Sequence, residues 1–440
     1  MGVRDLIVTP IYLALFLGIA IWIRPFVTNA NTRKYFIWGL SARFFGAIML
    51  GIIYQFYYKS GDTYIYFDHG SRWIWEAFLN NPMDGMRLLF KSGPQHIPDL
   101  FNYSKNIWYW RDSHSYFIVR LTSVADIFTF HTYSATSLFF AAFSFSGVWA
   151  MFSIAQRRYP ERTKWLAIGI LFFPSVIFWG SGILKDTVTL GALGWMTWGL
   201  MRWIEFRQRS IVEVLVFALG LYLLISIKIY IAICFVPMIF IWIFFKHLNQ
   251  IHNPVIKILI VPLLLIVFGG GGLYALVKIS SQSNIYNLDN VAERARITAY
   301  DIRYGWGART GGDGGYDIGL LDGTVVGGLK LAPAAINVSL FRPYPWEVKN
   351  PLMALASLES LLIILLTVYM MRIKGHWKGI FKDPFLIFCI SFALFFAFAV
   401  GLSTANFGTL MRYKIPMIPF FWISLVTTRI KATVSLKSAA

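Results

Sequence analysis

The chain is dominated by one recurring unit: a run of roughly 20 predominantly apolar residues, the length that crosses a hydrocarbon core as a helix, followed by a charged connection. Such runs lie near 6–23, 35–57, 132–155, 164–180, 187–204, 211–227, 229–245, 256–278, 351–371, 384–401 and 415–429. In lipid every backbone N–H and C=O must find its partner inside the protein, so runs of this length specify helices rather than open sheet. The expected fold is all-α, a polytopic transmembrane helical bundle with about 10–11 spans. With 57% of its 440 residues hydrophobic, the chain has too little polar surface for a water-soluble protein of this size. Residues 1–440 read as a single integral membrane domain, and the first run, with no small-residue cleavage site after it, as a retained anchor.

Charge orients the bundle. Lys and Arg number 40 against 21 Asp and Glu, and such an excess in a multispan protein decorates cytoplasmic loops. The basic connections are Arg33-Lys34, Arg157-Arg158 with Arg162 and Lys164, Arg202 with Arg207 and Arg209, Lys246, and Arg372 with Lys374, Lys378 and Lys382. Placing all of them inside puts the N-terminus outside and the Arg429–Lys431 tail inside; an interfacial first run would put both termini inside. No basic run alternates with exposed aromatics in a soluble segment, so nucleic acid is not an expected partner. Cys234 and Cys389 sit in apolar runs, as small buried hydrophobes do.

On this path two long segments, 58–131 and 279–349, lie on the extracytoplasmic side with the short connections Ser181–Asp186 and Ser403–Lys414. The first carries Trp73, Trp75, Phe78, Trp108, Tyr109 and Trp110 among polar residues, the pattern of short helices in the interface plane. The second contains Gly311-Gly312-Asp313-Gly314-Gly315, too flexible for a helix, then Phe341-Arg342-Pro343-Tyr344-Pro345-Trp346-Glu347, where two prolines enforce irregular backbone.

Three stretches on that side carry chemistry. The stretch 60–70 sets Asp62, Asp68 and His69 just beyond a span, where a carboxylate made more basic by burial would accept a proton from a hydroxyl; the alternative for Asp62 is to cap the next helix. The turn Gly180-Ser181-Gly182-Ile183-Leu184-Lys185-Asp186 offers Lys185 to a phosphate, with Asp186 orienting it or opening the following helix; the alternative is a turn with a snorkelling lysine. The stretch 406–414 places Arg412 and Lys414 where cations are depleted, which calls for an anionic partner such as a phosphate or diphosphate. Arg342, with Arg294, Arg296, Arg303 and Arg309, enters the same account, against the alternative of internal pairs to Glu347, Asp301 or Asp313. Glu359 lies within an apolar span, as a proton-handling or helix-packing group. No His-Glu-x-x-His, Cys-x-x-Cys or Walker pattern occurs, and Gly269–Gly272 reads as close helix packing; no cofactor or metal is called for, although a divalent ion is compatible with the carboxylates.

The Gly61-Asp62-x-x-x-Tyr66 stretch after an early span, with interfacial helices behind it and the turn Phe173-Pro174-Ser175-x-x-Phe178-Trp179-x-Ser181-Gly182-x-x-Lys185-Asp186, resembles the membrane portion of GT-C glycosyltransferases. The resemblance covers about the first half of the chain, with the aspartate loop here following the second span and no soluble C-terminal domain expected. It implies a polyprenyl-phosphate-linked sugar donor, a glycan or lipid acceptor, a bacterial inner membrane, and a catalytic aspartate at the matching Asp62 or Asp68. His69, Lys185, Asp186, Arg342, Glu347, Arg412 and Lys414 are then the expected substrate-binding residues. The later Phe341–Glu347 and Asn406–Tyr413 stretches are similar to bacterial surface-polysaccharide proteins of the O-antigen-polymerase kind, in which loop arginines hold a lipid diphosphate. The sequence is compatible with a transferase, a polymerase, a lipid-linked glycan flippase or a structural membrane subunit.

Overall fold

The computed structural model describes residues 2–93, 95–248, 291–306, 314–319, 325–373 and 375–427, with the backbone alone at 291–295, 303, 305, 306 and 325. Among these, the regular elements are helical, and one antiparallel bridge joins Gly315 to Asn406. Among the described residues six helices are long and apolar enough to cross a membrane: Val3–Val27, Arg33–Tyr58, Tyr133–Arg158, Ile211–Leu248, Pro351–Arg372 and Pro384–Ser403. The chain is an all-α, multi-pass membrane protein. The expected span at 256–278, Gly269–Gly272, Arg309, Asp313, Lys374 and the basic tail fall outside the described residues.

The chain divides into two compact units, Met1–Ala232 with Met411–Pro416, and Ile233–Leu410 with Met417–Ala440. The first unit begins with α1 (Val3–Val27) and α2 (Arg33–Ile52), which continues as a π-helical turn, Ile53–Tyr58. The segment 58–131 consists of short helices: α3 (Asp62–Tyr66), α4 (Arg72–Asn80), α5 (Pro82–Phe90) and, after further short turns, α6 (Ser113–Thr129). Asn81 caps α5 by accepting from the Met83 amide, and Pro82 sits at the first helical position, where no N–H is needed. α7 (Tyr133–Arg158) and α10 (Lys185–Ile204) form the centre of the unit. They cross at glycines, since a Cβ on Gly147 would lie 1.9 Å from the Gly191 carbonyl oxygen and one on Gly194 2.2 Å from that of Gly147. Small residues that let backbones touch are the usual way helices associate where lipid removes the hydrophobic drive.

Three expected spans differ in form. The run 164–180 is split into α8 (Thr163–Ile170) and α9 (Pro174–Trp179), because Pro174 lacks an N–H and forces Phe173 to extended backbone (φ −71, ψ 123). The runs 211–227 and 229–245 meet in one helix, α11 (Ile211–Leu248), whose break is Lys228 (φ −145, ψ 76).

In the second unit the end of α11 packs through aromatic rings on α14 (Pro384–Ser403): Trp242 lies 5.1 Å from both Phe385 and Phe388. α12 (Ala332–Phe341) meets α14 at Gly401, where a Cβ would fall 2.2 Å from the Ala335 carbonyl oxygen, and Ser339 donates to the Ala397 carbonyl (2.7 Å). Glu359 is buried in α13 (Pro351–Arg372), and the run expected at 415–429 appears as α16 (Ile418–Val426), preceded by α15 (Phe407–Tyr413).

Candidate functional site

The site starts from a backbone reversal. Past the π-helical turn, Lys59 and Gly61 adopt positive φ (57 and 139), and a Cβ on Gly61 would meet the Tyr54 ring at 2.3 Å. Only glycine fits both the angle and the gap. The chain thereby turns directly into α3, with Asp62 as its first residue and without a side-chain cap bond, so the helix-capping alternative is not the one realised.

Asp62 is freed for longer-range contacts. Its Oδ2 accepts from Arg412 Nη1 (2.5 Å), and its Oδ1 accepts from the Tyr109 hydroxyl (3.3 Å). Arg412 Nε donates to Asp186 Oδ2 (2.5 Å), and Lys228 Nζ donates to Asp186 Oδ1 (2.5 Å). Lys228 also lies 4.3 Å from the centre of the Tyr413 ring, a cation–π contact. Beside them Lys185 Nζ stands 3.8 Å from Asp112 Oδ2. Asp112 is held by the His114 amide (3.0 Å) and by the Ser115 hydroxyl, capping α6.

Three carboxylates, Asp62, Asp112 and Asp186, thus face three cations, Lys185, Lys228 and Arg412. The balance makes burial tolerable, since an unpaired charge in a low-dielectric interior costs several kcal/mol. Exposure is graded: the Asp186 side chain is 1% exposed and Arg412 12%, whereas Asp62 is 37% and Asp112 46% exposed. The cluster has a sealed inner end and an open edge formed by Asp62, Asp112 and Lys185.

Burial pushes the Asp62 carboxyl upward, but the adjoining Arg412 guanidinium outweighs it and holds the group below the usual carboxylate range. The higher basicity expected from burial is therefore overturned by the ion pair. For Asp112, burial is likewise outweighed by Lys185 and the Ser115 and His114 bonds. Burial, then Asp62, raises the Tyr109 phenol, so it remains a hydrogen-bond donor. A carboxyl lowered in the folded state contributes stability that is complete above its unfolded value of about 4 and disappears as pH falls through the lowered native value. The melting temperature should stay level between about pH 5 and 8 and drop below about pH 4; a scan of thermal unfolding against pH checks this, and Asp62→Asn should weaken the acid dependence.

The structure gathers Asp62, Lys185, Asp186 and Arg412 from the expected residues, but not the others. His69 is exposed and stacks on Trp108 with ring centroids 4.3 Å apart. Half-buried Asp68, whose carboxyl burial raises despite His131 nearby, makes no bond to the cluster. Lys414 is fully buried, which removes it from contact with a substrate arriving at the surface. In the second unit, Arg342 Nε donates to both Glu347 oxygens (3.0 Å each), and Glu347 also accepts from the Tyr344 amide (2.8 Å). The internal ion pair is the alternative realised there. Arg296 is exposed, and the Arg294 and Arg303 side chains lie outside the described residues.

Lys228, Tyr109 and Asp112 were not among the expected site residues. Lys228 carried a readable signal, a cation set between the apolar runs 211–227 and 229–245, since intramembrane charges seek a partner. Asp112 before Ser113-His114-Ser115 reads as a helix cap, which it is, and nothing local announces its second contact. Among the described residues there is no group of three or more His, Cys, Asp or Glu able to hold a metal ion. No protein-family model, curated protein or solved structure matches this chain.

Proposed function

We propose that the protein is a membrane glycosyltransferase that moves a sugar from a polyprenyl-phosphate-linked donor to a glycan or lipid acceptor at the extracytoplasmic face of a bacterial inner membrane. The reading is carried by one observation: Arg412 binds Asp62 across 350 residues of sequence while also binding Asp186, and this leaves Asp62 at an open edge beside Lys185. An acceptor hydroxyl at that edge attacks the anomeric carbon, and its proton passes to Asp62. The bond from the anomeric carbon to the phosphate oxygen breaks, the electron pair leaves with the lipid phosphate, and Lys185 offsets the developing charge. Arrival of an anionic phosphate also cancels part of the Arg412 field at Asp62, which returns proton affinity to the carboxylate when it is needed.

The test is reconstitution of the full chain in lipid nanodiscs with synthetic polyprenyl-phosphate sugars and a panel of glycan and lipid acceptors. Acceptor glycosylation with release of polyprenyl phosphate is the expected result; no turnover with any donor on the panel would remove this reading. A carrier of lipid-linked glycans is the second reading, favoured by the helix break at a buried lysine in α11 and the interrupted α8–α9 pair, since transporters place sites at broken helices. Protein-dependent movement of a labelled lipid across a vesicle membrane, without any change in its sugar, would select it. The polymerase reading draws less support, because the Arg342 expected to hold a diphosphate is engaged by Glu347.

A further inference from the structure

Arg43 lies in α2, within a membrane-spanning segment, and is completely buried. Its Nη1 donates to the carbonyls of Val176 (2.7 Å) and Gly180 (2.9 Å), while Nε and Nη2 have no partner among the described residues. A buried guanidinium bonded only to carbonyls needs a reason. α9 supplies it: this helix has six residues, so its terminal carbonyls lack intrahelical donors, and in a membrane no water replaces them. Arg43 meets two of the exposed carbonyls at the end where the helix dipole is negative, and the Ser181 hydroxyl donates to a third, that of Ile177 (2.5 Å).

The contact is closely fitted on both sides. A Cβ on Gly46 would lie 2.5 Å from the Ile177 carbonyl oxygen, and one on Gly180 would lie 2.6 Å from Arg43 Nη1. From that point the turn climbs along α2: Gly182 abuts Leu50, where a Cβ would be 2.7 Å away, and Leu184 packs with Leu50 and Tyr54. The turn is closed by the Leu184 amide donating to the Gly182 carbonyl (2.8 Å), and it stays against α2 at Arg43, Leu50 and Tyr54 in succession. At the top α2 leads to Asp62, and the turn leads to Lys185 and Asp186.

We infer that Arg43 is a positioning residue for the ion cluster: by fastening the end of α9 to α2 it sets the spacing between Asp62, which opens α3 beyond the end of α2, and Lys185–Asp186, which open α10 beyond the turn. The geometric part stands on its own, and only its kinetic consequence rests on the transferase reading. Arg43→Gln, Arg43→Lys and Gly180→Ala in the full chain in nanodiscs test both parts. Arg43→Gln should raise hydrogen exchange of the 181–186 amides by about tenfold and lower kcat per folded molecule by about ten- to a hundredfold, with KM within about twofold, the cost of a displacement near 1 Å. Arg43→Lys, which keeps a charged donor, should recover part of both; Gly180→Ala, which displaces the guanidinium, should reproduce the loss should the glutamine variant fail to fold. Unchanged exchange, or raised exchange with kcat per folded molecule unchanged, overturns the inference. Raised exchange in a protein whose wild type turns over no donor upholds the positioning and removes the transferase reading alone.

Discussion

Asp62→Asn should lower sugar transfer by a factor of about 10²–10⁴, the contribution of a positioned general base, while leaving the protein folded. Asparagine has the shape of aspartate: its amide oxygen can accept from Arg412 in place of Oδ2, and its NH2 can donate to the Tyr109 oxygen in place of the 3.3 Å contact, so the site loses charge more than geometry. The side chain is 37% exposed, and solvent absorbs much of the electrostatic change. The measurement is kcat with a labelled polyprenyl-phosphate sugar, alongside thermal unfolding of the same preparation. A variant that retains kcat within about threefold would remove Asp62 from the reaction, because no base contribution of the usual size could then be assigned to it.

Asp186 has the opposite profile: a structural effect that dominates any kinetic one. It is the acceptor shared by Lys228 and Arg412 and is 1% exposed. Asp186→Asn removes one negative charge from a closed set and leaves Lys228 buried against a neutral amide. Breaking a buried pair from one side costs about 3–5 kcal/mol, so the variant should unfold at markedly lower temperature. The double variant Asp186→Asn with Lys228→Met takes out both members and should regain at least half of the loss, because the neutral pair no longer needs solvation. If the double variant is no more stable than the single one, the Lys228–Asp186 pair is not what the fold relies on at that point.

These two predictions draw on residues that were legible to different degrees. Asp62, Lys185, Asp186 and Arg412 stood out as ionisable residues at the ends of apolar runs, where charge is scarce and must be matched. Asp68, His69, Arg342, Glu347 and Lys414 stood out by the same criterion, and are stacked, separately paired or buried instead. Local composition cannot separate these groups, because it reports that a charge needs a partner and not which partner it has. Arg342 shows the limit: Glu347, five residues on, satisfies it within its own loop, whereas Arg412 has no acid nearby in sequence and must find one elsewhere. An arginine with a local carboxylate is the weaker site candidate, and that comparison was available from the sequence.

The helical class and the placing of apolar runs followed from the sequence alone, because the demand that backbone groups be satisfied in lipid leaves helices as the solution for long apolar stretches. The break at Pro174 is local in origin too, from a missing N–H. What tertiary structure decided was the matching of charges: Arg412 to Asp62 and Asp186, Lys228 to Asp186, Lys185 to Asp112, and Arg43 to the carbonyls of a broken helix. Coulomb energy and hydrogen bonding depend on separations of a few ångströms, and glycine contacts such as Gly46 on Ile177 create those separations between residues more than a hundred positions apart.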